Sequence, residues 1–342
     1  MQAGIRLRNP LEKEHNLHSA SHFDLKISQR ISQRLRLIGT PILFCLTLLL
    51  APQPVAGAGN AENHTDPYER ALRNWQNKAP LSAKIIKGRS ATFGDRPWQV
   101  GLLNASIPDP LYAHFCSGTL ITDQWVLTAA HCVARRQATE LIVLTGTNSL
   151  NFGGRKKKVI SVVVHGAYDP QTLENDLALL FLDSPTAIVP PQFPSIEVEQ
   201  RLIDDQEKVK IGGWGNTYDF GVKSLDLMET EAPLVPPELC SAPDSHGQSL
   251  KATMLCAGYE DGRTDACDGD SGGPATVRQY GQELLIGVKS WGDCGAPKKY
   301  GLFTRIAPYV GWLRANTHSG LIRTQTEYLW PESLVAPARR VP

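Results

Sequence analysis

From Ile85 to about Ser290 the apolar residues come in short runs, and this pattern restricts the fold more than any other feature of the chain. The runs are Trp98–Leu103, Thr119–Leu127, Leu141–Leu144, Val159–Val164, Leu177–Leu182 and Leu284–Ser290. A shorter one, Val209–Ile211, leads into Gly212-Gly213-Trp214-Gly215. Each is rich in Val, Ile or Leu, and Gly, Pro, Asn and Asp separate them. Short β-branched runs with frequent turn residues predict an all-β barrel or sandwich. No internal repeat is present. Ala307–Asn316 carries Tyr309, Val310 and Leu313 at helical spacing and predicts one helix near the carboxy terminus. A short helical piece is also expected at Tyr68–Asn77.

The formal net charge of +1 over 342 residues points away from nucleic acid and from strongly acidic partners. Six of the seven cysteines follow Ile85. An even count there suggests disulfides and an oxidising compartment. No cysteine pair has metal-ligand spacing, so neither metal nor cofactor is expected. Lys26, Arg30, Arg34 and Arg36 precede an apolar stretch, Leu37–Ala51, which is short against the roughly 20 residues of a membrane span. Ala56 and Ala58 then supply a small-residue cleavage pattern. The reading is a secretory signal over 1–58 with a long basic extension, cut after Ala58; an uncleaved anchor is the alternative. Residues 59–84 read as a propeptide, and 319–342 as a tail of unassigned role. Secretion or export to a periplasm follows, with no membrane contact after maturation. Asn63 and Asn104 head glycosylation sequons.

Three framed segments carry the chemistry. In chain order they are Thr128-Ala129-Ala130-His131-Cys132, Asn175-Asp176-Leu177-Ala178-Leu179-Leu180 and Cys267-Asp268-Gly269-Asp270-Ser271-Gly272-Gly273-Pro274. A serine hydroxyl is a poor nucleophile at neutral pH. It needs a base within hydrogen-bond reach, and the base needs a carboxylate to fix its tautomer and stabilise its cation. Taken singly, His131 could be a core histidine and Asp176 a turn aspartate. Together and in these frames, the segments resemble those of the trypsin-like (chymotrypsin-family) serine peptidases, over about Ile85–Thr317. The resemblance implies two Greek-key β-barrels, about 85–200 and 201–306, joined near Val198–Glu207 and followed by the helix at 307–316. The peptidase domain would then span 85–318, with the site in the cleft between the barrels.

The family's roles transfer residue by residue. Ser271 would be the nucleophile, His131 the general base and then acid, and Asp176 the orienting carboxylate. The backbone N–H groups of Gly269 and Ser271 would form the oxyanion hole. Asp265, six residues before Ser271, would lie on the floor of the substrate pocket and favour Arg or Lys at the cleaved bond, because either cation offsets its burial. Taken alone, it could be a solvated loop acid. Ala266 and Ser290 would lie at the same pocket, with Gly292 and Gly301 as its small walls. Cleavage after Lys84, by another protease or by the enzyme itself, would free the amine of Ile85 to pair with Asp270. Here Ile86-Lys87 replaces the family's usual Val-Gly.

The family's disulfide pattern implies Cys116–Cys132, Cys240–Cys256 and Cys267–Cys294, each contributing about 3 kcal/mol. Val209 and Val277 stand where many relatives have a fourth pair. No cysteine lies in the propeptide, so no disulfide would hold it after cleavage, and its release is expected. Relatives that bind calcium use acidic residues in the loop matching Gly146–Lys158. Here that loop has none and instead carries Arg155-Lys156-Lys157-Lys158, so no calcium is expected. The basic run reads as a solvated face, with an acidic substrate or surface as the alternative. The chain thus reads as a secreted endopeptidase made as a zymogen. The competing reading is a catalytically silent binding protein on the same fold.

Overall fold

The computed structural model describes residues 66–78, 88–215, 224–262, 270–292, 295–317 and 324–325. Lys84, Ile85, Asp265, Ala266, Cys267, Gly269 and Cys294 fall outside these, as do the signal region and Asn63. Two closed six-stranded antiparallel barrels dominate the described residues.

The first barrel comprises β1 (Gln99–Asn104), β2 (His114–Leu120), β3 (Trp125–Thr128), β4 (Leu141–Thr145), β5 (Arg155–Val164) and β6 (Ala178–Leu182). The ladder runs β1-β2-β3-β6-β5-β4 and closes through β4 on β1, with Gly101 opposite Leu144. Val100, Leu102, Val126, Leu141, Val143, Leu180 and Leu182 fill its core. The run Thr119–Leu127 is two strands rather than one. Thr122 Oγ1 accepts the N–H groups of Gln124 and Trp125, at 3.3 and 3.0 Å, and folds the chain back between β2 and β3.

The second barrel comprises β7 (Lys208–Gly213), β8 (Met228–Val235), β9 (Met254–Ala257), β10 (Pro274–Gln279), β11 (Gln282–Trp291) and β12 (Gly301–Arg305). Its ring is β7-β8-β9-β12-β11-β10, closed by β10 on β7. Val209 and Val277 are buried together in its core, so apolar packing fills the place of the absent disulfide. The other two expected bridges within the described residues are formed. Cys116–Cys132 and Cys240–Cys256 have Cα atoms 6.3 and 6.4 Å apart.

Between the barrels the chain forms a helix, Ile196–Asp204, where the sequence suggested only a join. Ser195 caps it by accepting the Val198 N–H at 3.3 Å. Its buried Glu199 accepts from Arg305 Nε at 2.7 Å and from the N–H groups of Ile306 and Ala307. That contact fixes the end of β12. The final helix, Val310–Thr317, follows a 3₁₀ turn at Ala307–Tyr309. His165, just after β5, stacks edge-on against Tyr309 and Trp312 at 5.2 and 5.0 Å, which docks this end of the chain on the first barrel. In the tail, Thr324–Gln325 pairs in parallel with Phe193–Pro194.

The expected early helix spans Pro67–Gln76, with Asp66 as its cap. It lies against the first barrel. Tyr68 and Ala71 are buried, and Tyr68 meets Phe115 edge-on at 5.3 Å. Arg136 lies 4.2 Å from the Tyr68 ring centre and bonds both Asp66 and Glu69. Of the basic run, Arg155, Lys156 and Lys158 are exposed, while Lys157 donates to Ser184 Oγ at 2.8 Å. Asn104 is buried, and its Oδ1 accepts the Ser106 N–H at 2.9 Å, so the folded protein does not present this sequon.

Candidate active site at the junction of the barrels

His131 sits in a single helical turn, Ala130–Val133, directly after β3. Its Nδ1 lies 2.7 Å from Asp176 Oδ2, and its backbone N–H donates to Asp176 Oδ1 at 2.8 Å. With Nδ1–H donating to the carboxylate, Nε2 is the basic nitrogen; it lies 3.6 Å from Cys132 Sγ. The Cys116–Cys132 bridge thus staples the histidine turn to β2. Cys116, His131 and Cys132 also form the one candidate metal-ligand cluster among the described residues, but both sulfurs are committed to the disulfide.

Asp176 is wholly buried at the start of β6. Asn175 before it has φ +57°, a left-handed conformation that Asn tolerates better than most residues. Tyr309 Oη holds that kink by donating to Asn175 Oδ1 at 2.7 Å. The second barrel supplies further partners. Ser290 Oγ donates to Asp176 Oδ2 at 2.6 Å, and Thr304 Oγ1 to the Asp176 carbonyl at 3.3 Å. Burial alone would raise the Asp176 pKa. The facing His131 outweighs it, and with the bond from Ser290 holds the carboxyl below the usual range.

Ser271 comes from the second barrel, in the turn before β10. Its carbonyl accepts the Ser117 N–H at 2.8 Å, and Gly272 N–H donates to the Lys289 carbonyl at 2.8 Å. Gly272 has φ +79°, and a Cβ there would lie 2.4 Å from the Ser117 carbonyl oxygen and 3.1 Å from the Ala129 nitrogen. The serine turn is therefore packed backbone-to-backbone on β2 and on the segment that ends in His131. Two further contacts fix the barrels to each other here. Arg96 reaches the Pro274 carbonyl at 3.3 Å and Gln99 reaches that of Gly212 at 2.5 Å. Asp270 is buried, and its Oδ1 accepts the Gly215 N–H at 2.9 Å.

Of the residues expected at the pocket, Ser290 is buried with its hydroxyl committed to Asp176. Gly292 has φ +129° and lies against Gly301, whose Cα is 3.2 Å from where a Gly292 Cβ would be. Sequence reasoning gave Tyr309 only a place in the last helix and did not single out Thr304 or the hydroxyl role of Ser290. None of them has a local signal, because each meets Asp176 or its neighbour from more than 100 positions away. Lys289 also went unremarked, although a lysine inside the apolar run Leu284–Ser290 is unusual. It is buried, and its Nζ donates to the Trp291 carbonyl at 3.0 Å.

A sequence model of the family described as Trypsin matches residues 85–313. Bovine coagulation factor XII is 32% identical over 314 residues, covering 87% of this chain and 49% of that protein. Serine protease 56 of Mus musculus is 35% identical over 252 residues, 71% of this chain and 40% of that protein. Trypsin Blo t 3 of Blomia tropicalis is 32% identical over 280 residues, 80% of this chain and 96% of that protein. The chain thus spans about half the length of the factor XII relative and nearly all of Trypsin Blo t 3. With the two barrels and the buried Asp176 bonded to His131 between them, these matches lead to one conclusion: the chain belongs to the trypsin family of serine proteases.

Proposed function

We propose that the protein is a secreted serine endopeptidase, made as a zymogen, that cleaves after Arg and less well after Lys. The observation that carries this reading is the buried Asp176 carboxylate 2.7 Å from His131 Nδ1, beside the turn that bears Ser271. Ser271 Oγ attacks the substrate carbonyl carbon as its proton passes to His131 Nε2. Asp176 stabilises the resulting imidazolium. The Gly269 and Ser271 N–H groups receive the oxyanion, and losing such a donor typically costs about 10²–10³ in rate. The imidazolium then protonates the leaving amine. Water, deprotonated by the same nitrogen, hydrolyses the acyl-enzyme and returns Ser271.

Lys84 is the activation site in this reading, and the new Ile85 amine pairs with Asp270. Asp265 draws the substrate cation. Ala266 beside it offers no hydroxyl. A guanidinium meets a carboxylate through two parallel bonds and is little affected by that lack, whereas an ammonium profits from an extra acceptor. Arg is therefore preferred over Lys by about tenfold or more, on the order of 1.4 kcal/mol at the transition state. Paired ester substrates that differ only as Arg or Lys test the preference, and Ala266→Ser should narrow the gap. Equal rates, or a Lys preference, would remove Ala266 from the argument. Lys84→Gln should remain an inactive precursor, and active material should begin at Ile85. Full activity in a chain that still begins upstream would overturn the zymogen reading.

A further inference from the structure

Lys289 is a cation where a protein that cleaves after basic residues should not have one. On β12, Gly301 and Phe303 are two positions apart and so project to the same face of the sheet. Lys289 is the cross-strand partner of Phe303, so it projects to that face as well. Its Nζ lies 5.3 Å from the centre of the Phe303 ring. The side chain runs along its own strand to the Trp291 carbonyl, two residues on. Trp291 is opposite Leu302, so the ammonium is held where β11 and β12 lead into the adjacent residues Gly292 and Gly301. These two glycines are the walls assigned to the substrate pocket. The neighbour on the other face, Ser290, points at Asp176. Thus one strand turns a hydroxyl to the catalytic aspartate and an ammonium to the pocket.

We infer that Lys289 is a specificity-determining residue: its ammonium is a resident cation of the substrate pocket and opposes entry of a substrate guanidinium or ammonium. The inference rests on the proposed reading that Gly292 and Gly301 wall that pocket. Two like charges a few ångströms apart in a water-poor site repel strongly. The resident cation also uses part of the attraction that an anionic floor would otherwise offer the substrate. The protein should therefore be a slow enzyme toward basic residues, restrained by its own side chain, with the order of Arg over Lys unchanged.

The test compares the activated full chain with Lys289→Met, which keeps the side chain's length and removes its charge. Lys289→Val is the second variant, in case Met packs poorly. Benzamidinium binding is measured by calorimetry, and kcat/KM is measured for an Arg ester and an Ala ester. Either variant should bind benzamidinium at least tenfold more tightly and hydrolyse the Arg ester at least tenfold faster. The Ala ester, which does not reach the ammonium, should change less than threefold. If both variants match the wild type on benzamidinium and the Arg ester, the inference is overturned while the preference for basic residues stands. If none of the three binds benzamidinium or cleaves the Arg ester, yet all cleave the Ala ester, the basic-residue reading falls and this inference with it. An equal gain on the Ala ester would show that Lys289 acts on the fold rather than on the pocket, and would overturn it too.

Discussion

Gly272→Ala tests whether the contact between the barrels holds the reacting groups in place. At φ +79° an alanine costs about 1–2 kcal/mol in backbone strain alone. Its Cβ would also sit 2.4 Å from the Ser117 carbonyl oxygen, a backbone atom of β2 that cannot rotate away. Against an ordinary contact the shortfall is about 1 Å, so the serine turn must retreat by about that distance from β2 and the histidine turn. A misplacement of about 1 Å costs on the order of 10²-fold in rate. Overpacking adds about 1–3 kcal/mol to the stability loss. Gly281 provides the control. It has φ +78°, in the turn between β10 and β11, and nothing lies within 4 Å of its Cβ position. Gly281→Ala should therefore cost about 1–2 kcal/mol and leave activity unchanged. Thermal melts and kcat/KM on one ester substrate, for both variants after activation, give the comparison. If Gly272→Ala keeps more than a third of the wild-type kcat/KM, the packed turn does not set the position of Ser271. If Gly281→Ala loses activity as severely, backbone strain rather than the barrel contact is responsible.

Three further outcomes are expected. Ser290→Ala removes a 2.6 Å bond to a buried carboxylate and should cost about 1.5–3 kcal/mol of stability by denaturant titration; a loss under 0.5 kcal/mol would mean the bond is not made. Tyr68→Ala removes an aromatic buried between Phe115 and Arg136 and should destabilise the uncleaved precursor by about 2–4 kcal/mol, and an unchanged melting temperature would show that the early helix does not dock on the barrel. The folded pKa of Asp176 is depressed, so the stability of its ionised form is present above the ordinary carboxylate value of about 3.9 and is lost as pH falls from there through the folded value. The difference in melting temperature between wild type and Asp176→Asn should accordingly be largest near pH 6 and shrink toward pH 2.5; a difference independent of pH would contradict the assignment.

The strands were legible from the sequence for a physical reason. Strand runs such as Leu177–Leu182 show themselves because the barrel interior demands apolar residues over a few positions and the turns demand Gly, Asn or Asp. The early helix was visible from local pattern alone, within one residue at each end. Its purchase on the barrel was not, since Arg136 meets Asp66 and Glu69 across 70 and 67 positions. The connecting helix Ile196–Asp204 was missed. Its signals were a Ser195 cap and the aliphatic residues Ile196, Val198, Leu202 and Ile203, broken up by Glu197, Glu199, Arg201 and Asp204 and so easily taken for a solvated join. Glu199 looks like a solvated charge in sequence, yet it is buried and bonded to Arg305. The same blindness covered Lys289. A single cation in an apolar run carries no mark of what it faces until the register of β11 on β12 pairs it with Phe303.

The central claim is that Ser271, served by His131 and Asp176, is a working nucleophile once the chain is cut after Lys84. Mass spectrometry of the protein after exposure to a fluorophosphonate reads this directly. One adduct is expected, on the peptide that contains Ser271, in the cleaved chain. It should be absent from the uncleaved precursor and from Ser271→Ala. A folded, cleaved chain that acquires no adduct at Ser271 would contradict the account and leave a binding protein on a protease fold.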